Sequence, residues 1–253
     1  MIVLKSRQEV ELMRAANAIV AEILGEVRSR VRAGVSTGEL DALAEELTVA
    51  KGAKPAFKGY VVQGRVFPAS ICISINDEVV HGVPSTRRVL KDGDIVGLDF
   101  GVCYRGYYGD AAMTVPVGKV SAEAQRLMDV TARALAAGID AIKPGAHVAD
   151  ISAAVQDTAE GAGFSVVREF VGHGIGRKLH EDPQVPNYRT GARGVRLEEG
   201  LVLAIEPMVN FGRADVYVKE DGWTAATRDG RLSAHFEHSV AVTANGPYIL
   251  SQL

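Results

Sequence analysis

Residues 90–99 read LKDGDIVGLD, and residues 197–206 read LEEGLVLAIE. The two stretches align without a gap at an offset of 107, and the alignment sets Asp99 on Glu206. Both run Leu, any residue, acid, Gly, any residue, then aliphatic or small residues to a final acid. The same order of elements precedes each copy. Ser6 and Glu9 form a capping box ahead of a helical pattern over 6–31 (Val10, Met13, Val20, Ile23, Val27, Val31), broken at Ala33-Gly34. A second capping box, Ser36 to Glu39, opens a helix that runs to Lys51-Gly52. After Gly118, a helix over 121–142 carries Leu127, Met128, Val130, Leu135 and Ile139, stops at Pro144-Gly145, and is followed by another over about 148–160. Gly145 and Asp150-Ile151 lie 111 residues after Gly34 and Glu39-Leu40. This self-similarity predicts two related halves, 1–118 and 119–253, each with two helices and a set of antiparallel strands. Short linkers and the absence of low-complexity sequence pack them into one α/β (α+β) domain over 1–253.

Working outward from Asp99, strands are predicted over 70–75, 95–104 and 107–117. Arg105-Gly106 form the two-residue turn between the last two. Such a turn pairs Tyr104 with Tyr107 and Gly101 with Asp110. Asp99 and Asp110 then share a face as diagonal neighbours, with α-carbons roughly 7–8 Å apart. Glu206 ends the apolar run LVLAIE, and Glu237 lies in the alternating run HFEHSVAVT. A single acid at a strand end is ordinarily a solvated turn residue. Four in apolar strands, two of them matched by the repeat, point elsewhere. Brought together about a pseudo-two-fold axis, four carboxylates cannot stay ionised in a low-dielectric site without cations. Two divalent ions balance them, and oxygen-rich donors with one imidazole suit Mn, Fe, Co or Zn and hydrolytic chemistry.

The composition is that of a soluble globular protein: 47% hydrophobic, 23% charged, formal net charge −3. It carries no electrostatic footprint for nucleic acid or an anionic membrane, and no apolar run approaches the roughly 18 residues of a membrane span. The N-terminus MIVLKSRQEV lacks signal-peptide features, which predicts a cytoplasmic protein. Cys72 and Cys103 are too few for a disulfide scaffold, and Cys72 reads as a small buried hydrophobe. Of the six histidines, His147 aligns with the cap Ser36 and reads as structural. His235 and His238 lie at odd offsets from Glu237, on the opposite face of a regular strand, and read as non-ligands. His81, His173 and His180 stand in loops bearing Gly and Pro, and the glycines around His173 predict a tight backbone.

The stretches SINDEVVHGVP, GLDFG followed by YYGDAAMT, GHGIGRKLHEDPQVPNY, LAIEPM and SAHFEHSVAVT together resemble the type I methionine aminopeptidases over nearly the whole chain, in their short bacterial form. The resemblance implies a pita-bread fold of two pseudo-symmetric halves around an antiparallel sheet. It also implies a hydrolase that removes N-terminal methionine from nascent proteins and peptides with a small second residue, by attack of a metal-bridging hydroxide. Asp99, Asp110, His173, Glu206 and Glu237 match the five metal ligands. Asp110 and Glu237 bridge the two ions, Asp99 chelates one, and His173 and Glu206 bind the other. Glu206 shuttles the proton, His81 contacts the substrate amide and assists the leaving group, and His180 steadies the carbonyl or its oxyanion. Phe67, Cys72, Leu179 and Trp223 match the pocket for the methionine side chain.

The chain departs from the family pattern at Leu179, often aromatic, and at Gly64, near which an aromatic is common and for which Tyr60 is a nearby substitute. Prolidase, aminopeptidase P and creatinase share the fold, but the X-Pro-cleaving enzymes usually carry a further N-terminal domain. A non-catalytic peptide- or ribosome-binding relative would show eroded ligands, and here all five stand with His81 and His180. The implied partners are a peptide or nascent-chain N-terminus and, transiently, the ribosome, with a monomer as the default state.

Overall fold

Helices form where the capping boxes stand. Ser6 Oγ accepts the Glu9 N–H and the Glu9 carboxylate accepts the Ser6 N–H at the head of α1 (Arg7–Arg30). Ser36 and Glu39 repeat the exchange at α2 (Thr37–Ala50). In the second half Ser121 caps α3 (Ala122–Asp140). His147 is the N-cap of α4 (Val148–Gly161), its backbone N–H donating to Asp150 Oδ2 at 2.7 Å. The bridge Ser36↔Val89 recurs as His147↔Arg196, at the two places the repeat aligns. The computed structural model describes residues 2–143 and 145–252, so Pro144 of the expected Pro144-Gly145 break lies outside the described residues. None of the described helices is long and apolar enough to cross a membrane.

Five short strands, β1 (Lys54–Pro55), β2 (Val61–Val62), β3 (Arg65–Val66), β4 (Cys72–Ile75) and β5 (Glu78–Val80), precede the long hairpin of β6 (Ile95–Tyr104) and β7 (Tyr107–Pro116). The strand expected from residue 70 starts at Cys72, because the Ser70 and Ile71 N–H groups donate to Asp41 Oδ1 (2.7 and 3.3 Å) rather than to a neighbouring strand. After α4 come β8 (Ser165–Val166), β9 (Gly172–Gly174), β10 (Glu181–Val185), β11 (Val202–Ile205) and β12 (Met208–Asn210). The chain closes with β13 (Val216–Val218), β14 (Ala225–Thr227), β15 (Ser233–His235), β16 (Glu237–Thr243) and β17 (Gly246–Ile249).

At the β6–β7 turn Arg105 and Gly106 both take positive φ (50° and 81°), the geometry of a two-residue hairpin loop. The register pairs Tyr104 with Tyr107, Gly101 with Asp110 and Asp99 with Ala112, as the turn predicts. β6 and β11 begin at Ile95 and Val202, the same offset of 107 as their sequences, each two residues after a positive-φ glycine, Gly93 or Gly200.

The main sheet runs β1-β6-β7-β16-β11-β9-β10, with β4 added to β6 and β17 to β16. Its two faces are set by side-chain parity. On β6 and β7, Val96, Leu98, Phe100, Ala111 and Val115 pack in one core with Ile19, Val20, Ile23 and Leu40 of α1 and α2. On β11 and β16, Leu203, Ile205, Val240 and Val242 pack with Leu127, Leu135, Ile151 and Val155 of α3 and α4. Each Val, Leu, Ile or Phe side chain so buried contributes roughly 1.5–3 kcal/mol. The other parity carries Asp99 and Asp110 on one hairpin, Glu237 on β16 and Glu206 just past β11. The apolar alternation that seats four helices on one face therefore turns four acids to the face the helices leave free.

Candidate metal centre and substrate pocket

Adjacent strands deliver the donors. Going across β6, β7, β16, β11 and β9, the sheet presents Asp99, Asp110, Glu237, Glu206 and His173 in turn. Glu237 stands opposite Ala112 on β7, and His173 pairs with Ala204 on β11. The backbone at these points is pinned. The Asp110 N–H donates to Asn17 Oδ1 of α1 (3.2 Å), and its carbonyl accepts from Ser239 Oγ (2.8 Å). The Glu206 carbonyl accepts from Asn187 Nδ2 (3.0 Å). The tight backbone expected around His173 is present: a Cβ on Gly172 would meet the Ala204 carbonyl at 2.4 Å, and one on Gly174 the Asp182 carbonyl at 2.2 Å.

The donor set fits a cation. Asp110, His173 and Glu237 are buried, and one ligand atom of each lies within 4.8 Å of the others. Among the described residues Asp110 Oδ1 and Glu237 Oε1 are buried without a hydrogen-bond partner, a costly state for a carboxylate unless an ion takes the lone pairs. His173 Nδ1–H donates to its neighbour's carbonyl, Gly174 O, at 2.9 Å. That bond fixes the tautomer and leaves the Nε2 lone pair 3.4 Å from Glu206 Oε1, an arrangement typical of a ligating imidazole.

Electrostatics agree. Burial raises the Asp99 pKa to about 7. It pushes Asp110, Glu206 and Glu237 well above the carboxylate range, and each is raised further by its acidic neighbours. Burial lowers His173 to about 3 and His81 to about 4, with His180 adding to both, so both imidazoles are neutral near pH 7.

A pH dependence follows for metal-free protein. Each carboxyl is raised in the folded state, so its stabilising contribution is complete below the ordinary pKa and is lost as pH rises through the folded value. The lowered histidines act oppositely, but only up to their ordinary pKa of about 6.5. Between about pH 6.5 and 8.5 the raised carboxyls govern, and the burial-raised Cys72 thiol acts in the same direction toward the upper end. The melting temperature of chelator-stripped protein is expected to fall over that interval and to be restored by Mn or Co. A flat profile there would show that the four acids are not packed together.

All eleven residues singled out by the sequence line one cavity of about 190 Å³. They are Asp99, Asp110, His173, Glu206 and Glu237, then His81 and His180, then Phe67, Cys72, Leu179 and Trp223. The volume lies below the roughly 300–1,000 Å³ of small-molecule sites and suits a single side chain beside the acids. Phe67 and Trp223 meet edge-to-face with centroids 5.2 Å apart. Cys72 pairs with Asp99 across β4 and β6, and burial, then Asp99 and Asp110, raises its thiol pKa, which disfavours the thiolate form. His81 follows β5 with φ +59°, a left-handed backbone that few non-glycine residues adopt. Gly64 is at the β2–β3 turn (φ +79°), whereas Tyr60 lines the cavity.

Sequence reasoning missed part of the wall. Phe57, Val62, Val80, Phe170, Val171 and Met208 complete the lining, and Phe170 meets the His81 ring edge-to-face at 5.3 Å. The reading of His235 needs correction. It is not turned away from the acids: its buried Nε2 lies 3.9 Å from Glu206 Oε2 and has no hydrogen-bond partner. Alternation fails because the strand is interrupted at Phe236, between β15 and β16, opposite Pro207, whose carbonyl accepts the Phe236 N–H (3.4 Å). Pro207, in the stretch EPM, was the available signal of that break. His238 does turn away, bonding Ser251 Oγ through Nδ1 at 2.8 Å.

A family model for metallopeptidase family M24 matches residues 11–244. The chain belongs to metallopeptidase family M24. Among curated M24 relatives, a protein named methionine aminopeptidase from Clostridium perfringens is 51% identical over 251 residues, covering 99% of each chain. The crystal structure of a methionine aminopeptidase from Thermotoga maritima superposes with a TM-score of 0.96 at 47% identity, covering 100% of both chains. A prolidase from Pyrococcus furiosus shares the fold at 23% identity and TM-score 0.79, but there the match spans 99% of this chain and only 66% of the other. The pita-bread architecture implied by the resemblance, with the two related halves expected from the repeat, is thus that of the M24 peptidases.

Proposed function

We propose that this M24 chain, acting as a single catalytic domain, removes the N-terminal methionine from peptides and nascent proteins whose second residue is small. The observation that carries the reading is one small cavity in which buried Asp110, Glu237 and His173, with half-buried Asp99 and Glu206 lining the same space, abut an apolar slot. The names of the full-length relatives support it. In this reading Asp99, Asp110, His173, Glu206 and Glu237 would hold two divalent ions drawn from Mn, Fe, Co or Zn, with Asp110 and Glu237 serving both, Asp99 one, and His173 and Glu206 the other. When bound, such ions polarise the scissile carbonyl and supply a water nucleophile of lowered pKa.

The chain's own groups do the rest. Phe67, Cys72, Leu179 and Trp223 enclose the unbranched thioether and exclude water from it. Glu206, itself one of the acids lining the cavity, would take and return the proton of the attacking water. His81 contacts the amide being cleaved and assists its departure, and His180 donates to the carbonyl oxygen as charge develops. The substrates are nascent chains in the cytoplasm, met by a monomer with transient ribosome contact.

The test is hydrolysis of Met-Ala-Ser, Leu-Ala-Ser and Ala-Pro-Ala by chelator-stripped protein with Mn, Co, Fe(II) or Zn restored singly. Metal-dependent release of methionine is expected, preferred over leucine by roughly 10–200-fold, the range one hydrophobic pocket can discriminate. Cleavage of Ala-Pro-Ala instead would assign the X-Pro aminopeptidase reading. Folded protein inert with every ion would leave a peptide-binding protein.

A further inference from the structure

Tyr60 lies at the base of the β2–β3 hairpin, where the Phe67 N–H donates to its carbonyl at 2.8 Å. Strand parity puts Tyr60, Phe67, Val62 and Arg65 on one face of that hairpin and Val61 and Val66 on the other. The first face looks into the cavity: Tyr60, Val62 and Phe67 line it, and Arg65 reaches the Gly222 carbonyl (3.1 Å) in the loop that carries Trp223. The Tyr60 ring is therefore part of the wall, braced from behind.

Its hydroxyl has a separate task. Tyr60 Oη lies 2.6 Å from His180 Nδ1, across 120 residues of sequence, and the two rings meet edge-on at 5.3 Å. A phenol is a good donor and a weak acceptor, whereas an imidazole nitrogen without hydrogen is a good acceptor, so the short contact is O–H to Nδ1. A neutral imidazole that accepts at Nδ1 carries its hydrogen on Nε2. His180 also meets the His173 ring, centroids 4.4 Å apart, so it touches both the hairpin and a residue of the candidate metal centre.

We infer that Tyr60 is a positioning residue for His180: its hydroxyl holds the imidazole in the Nε2–H tautomer, so that the nitrogen left to the cavity is a donor for the substrate carbonyl oxygen. The inference rests on the reading of His180 as that donor. Without the phenol the ring samples the Nδ1–H form, which presents a lone pair to a developing negative charge and repels it.

The experiment uses Zn-loaded holoenzyme, which is diamagnetic, with ¹⁵N-labelled histidine. Long-range ¹H–¹⁵N spectra of wild type are expected to show His180 as the Nε2–H tautomer, and those of Tyr60→Phe a mixture. Tyr60→Phe keeps the ring and its apolar wall, so KM for Met-Ala-Ser is expected to stay near wild type. Its kcat is expected to fall by roughly 10–100-fold, as when other orienting hydrogen bonds are removed. In a His180→Ala background the same change is expected to cost almost nothing further. If His180→Ala loses kcat while Tyr60→Phe keeps both the tautomer and kcat, the role of Tyr60 is overturned and that of His180 stands. If His180→Ala keeps full kcat, the reading of His180 falls, and the catalytic role of Tyr60 with it.

Discussion

Replacing Asp110 or Glu237 with alanine is expected to abolish loading of the paired site and lower peptidase turnover by roughly 10³-fold or more. The estimate follows from the several kcal/mol that metal polarisation contributes to a hydrolytic transition state, at about 1.4 kcal/mol per tenfold. These two acids should be the most sensitive of the five, because each has a buried oxygen with no hydrogen-bond partner among the described residues and each is shared between ions in the proposed arrangement. Folding should survive the change. The groups that pin residue 110 are backbone to Asn17 and Ser239, and alanine keeps both. In chelator above neutral pH the variants should be at least as stable as wild type, since each removes a buried acid whose pKa is strongly raised. Equilibrium dialysis against Mn or Co, read beside peptide turnover, checks both points. Near-normal turnover in both variants would remove the site assignment altogether.

His81→Ala should separate binding from chemistry. The variant is expected to keep its metals and lose turnover by roughly 10²–10⁴-fold, the usual contribution of a positioned acid–base group. The side chain lines the cavity from the residue after β5, and its ring meets Phe170 edge-to-face. Burial holds it neutral, with a pKa of about 4, so it can donate from one nitrogen and accept at the other without charging first. The left-handed backbone at this position is already adopted by histidine, so alanine adds little new strain. Metal content measured on the purified variant decides the assignment: loss of metal would make His81 a ligand instead of a catalytic group.

Much of the fold was legible because its signals are local and repeated. Two capping boxes, a two-residue Arg105-Gly106 turn and a ten-residue echo at an offset of 107 fix the helices, the hairpin register and the relation of Asp99 to Glu206. Given the register, alternation alone says which acids face away from the helices, and the strand order then brings them side by side. What stayed hidden depends on breaks in that regularity. His235 was misread because the interruption at Phe236 reverses its face, and Pro207 across the sheet was the sole local sign of it. The walls contributed by Phe170 and Met208 come from segments with no periodic signature. The Tyr60–His180 hydrogen bond joins two loops remote in sequence, so no local pattern could announce it.

The most direct measurement is anomalous diffraction from crystals of the protein loaded with Mn or Co. Two peaks are expected in the cage, both contacted by Asp110 and Glu237, one also by Asp99 and the other by His173 and Glu206. A single peak held by other side chains, or none in crystals of protein that still releases methionine, would contradict the dinuclear cage.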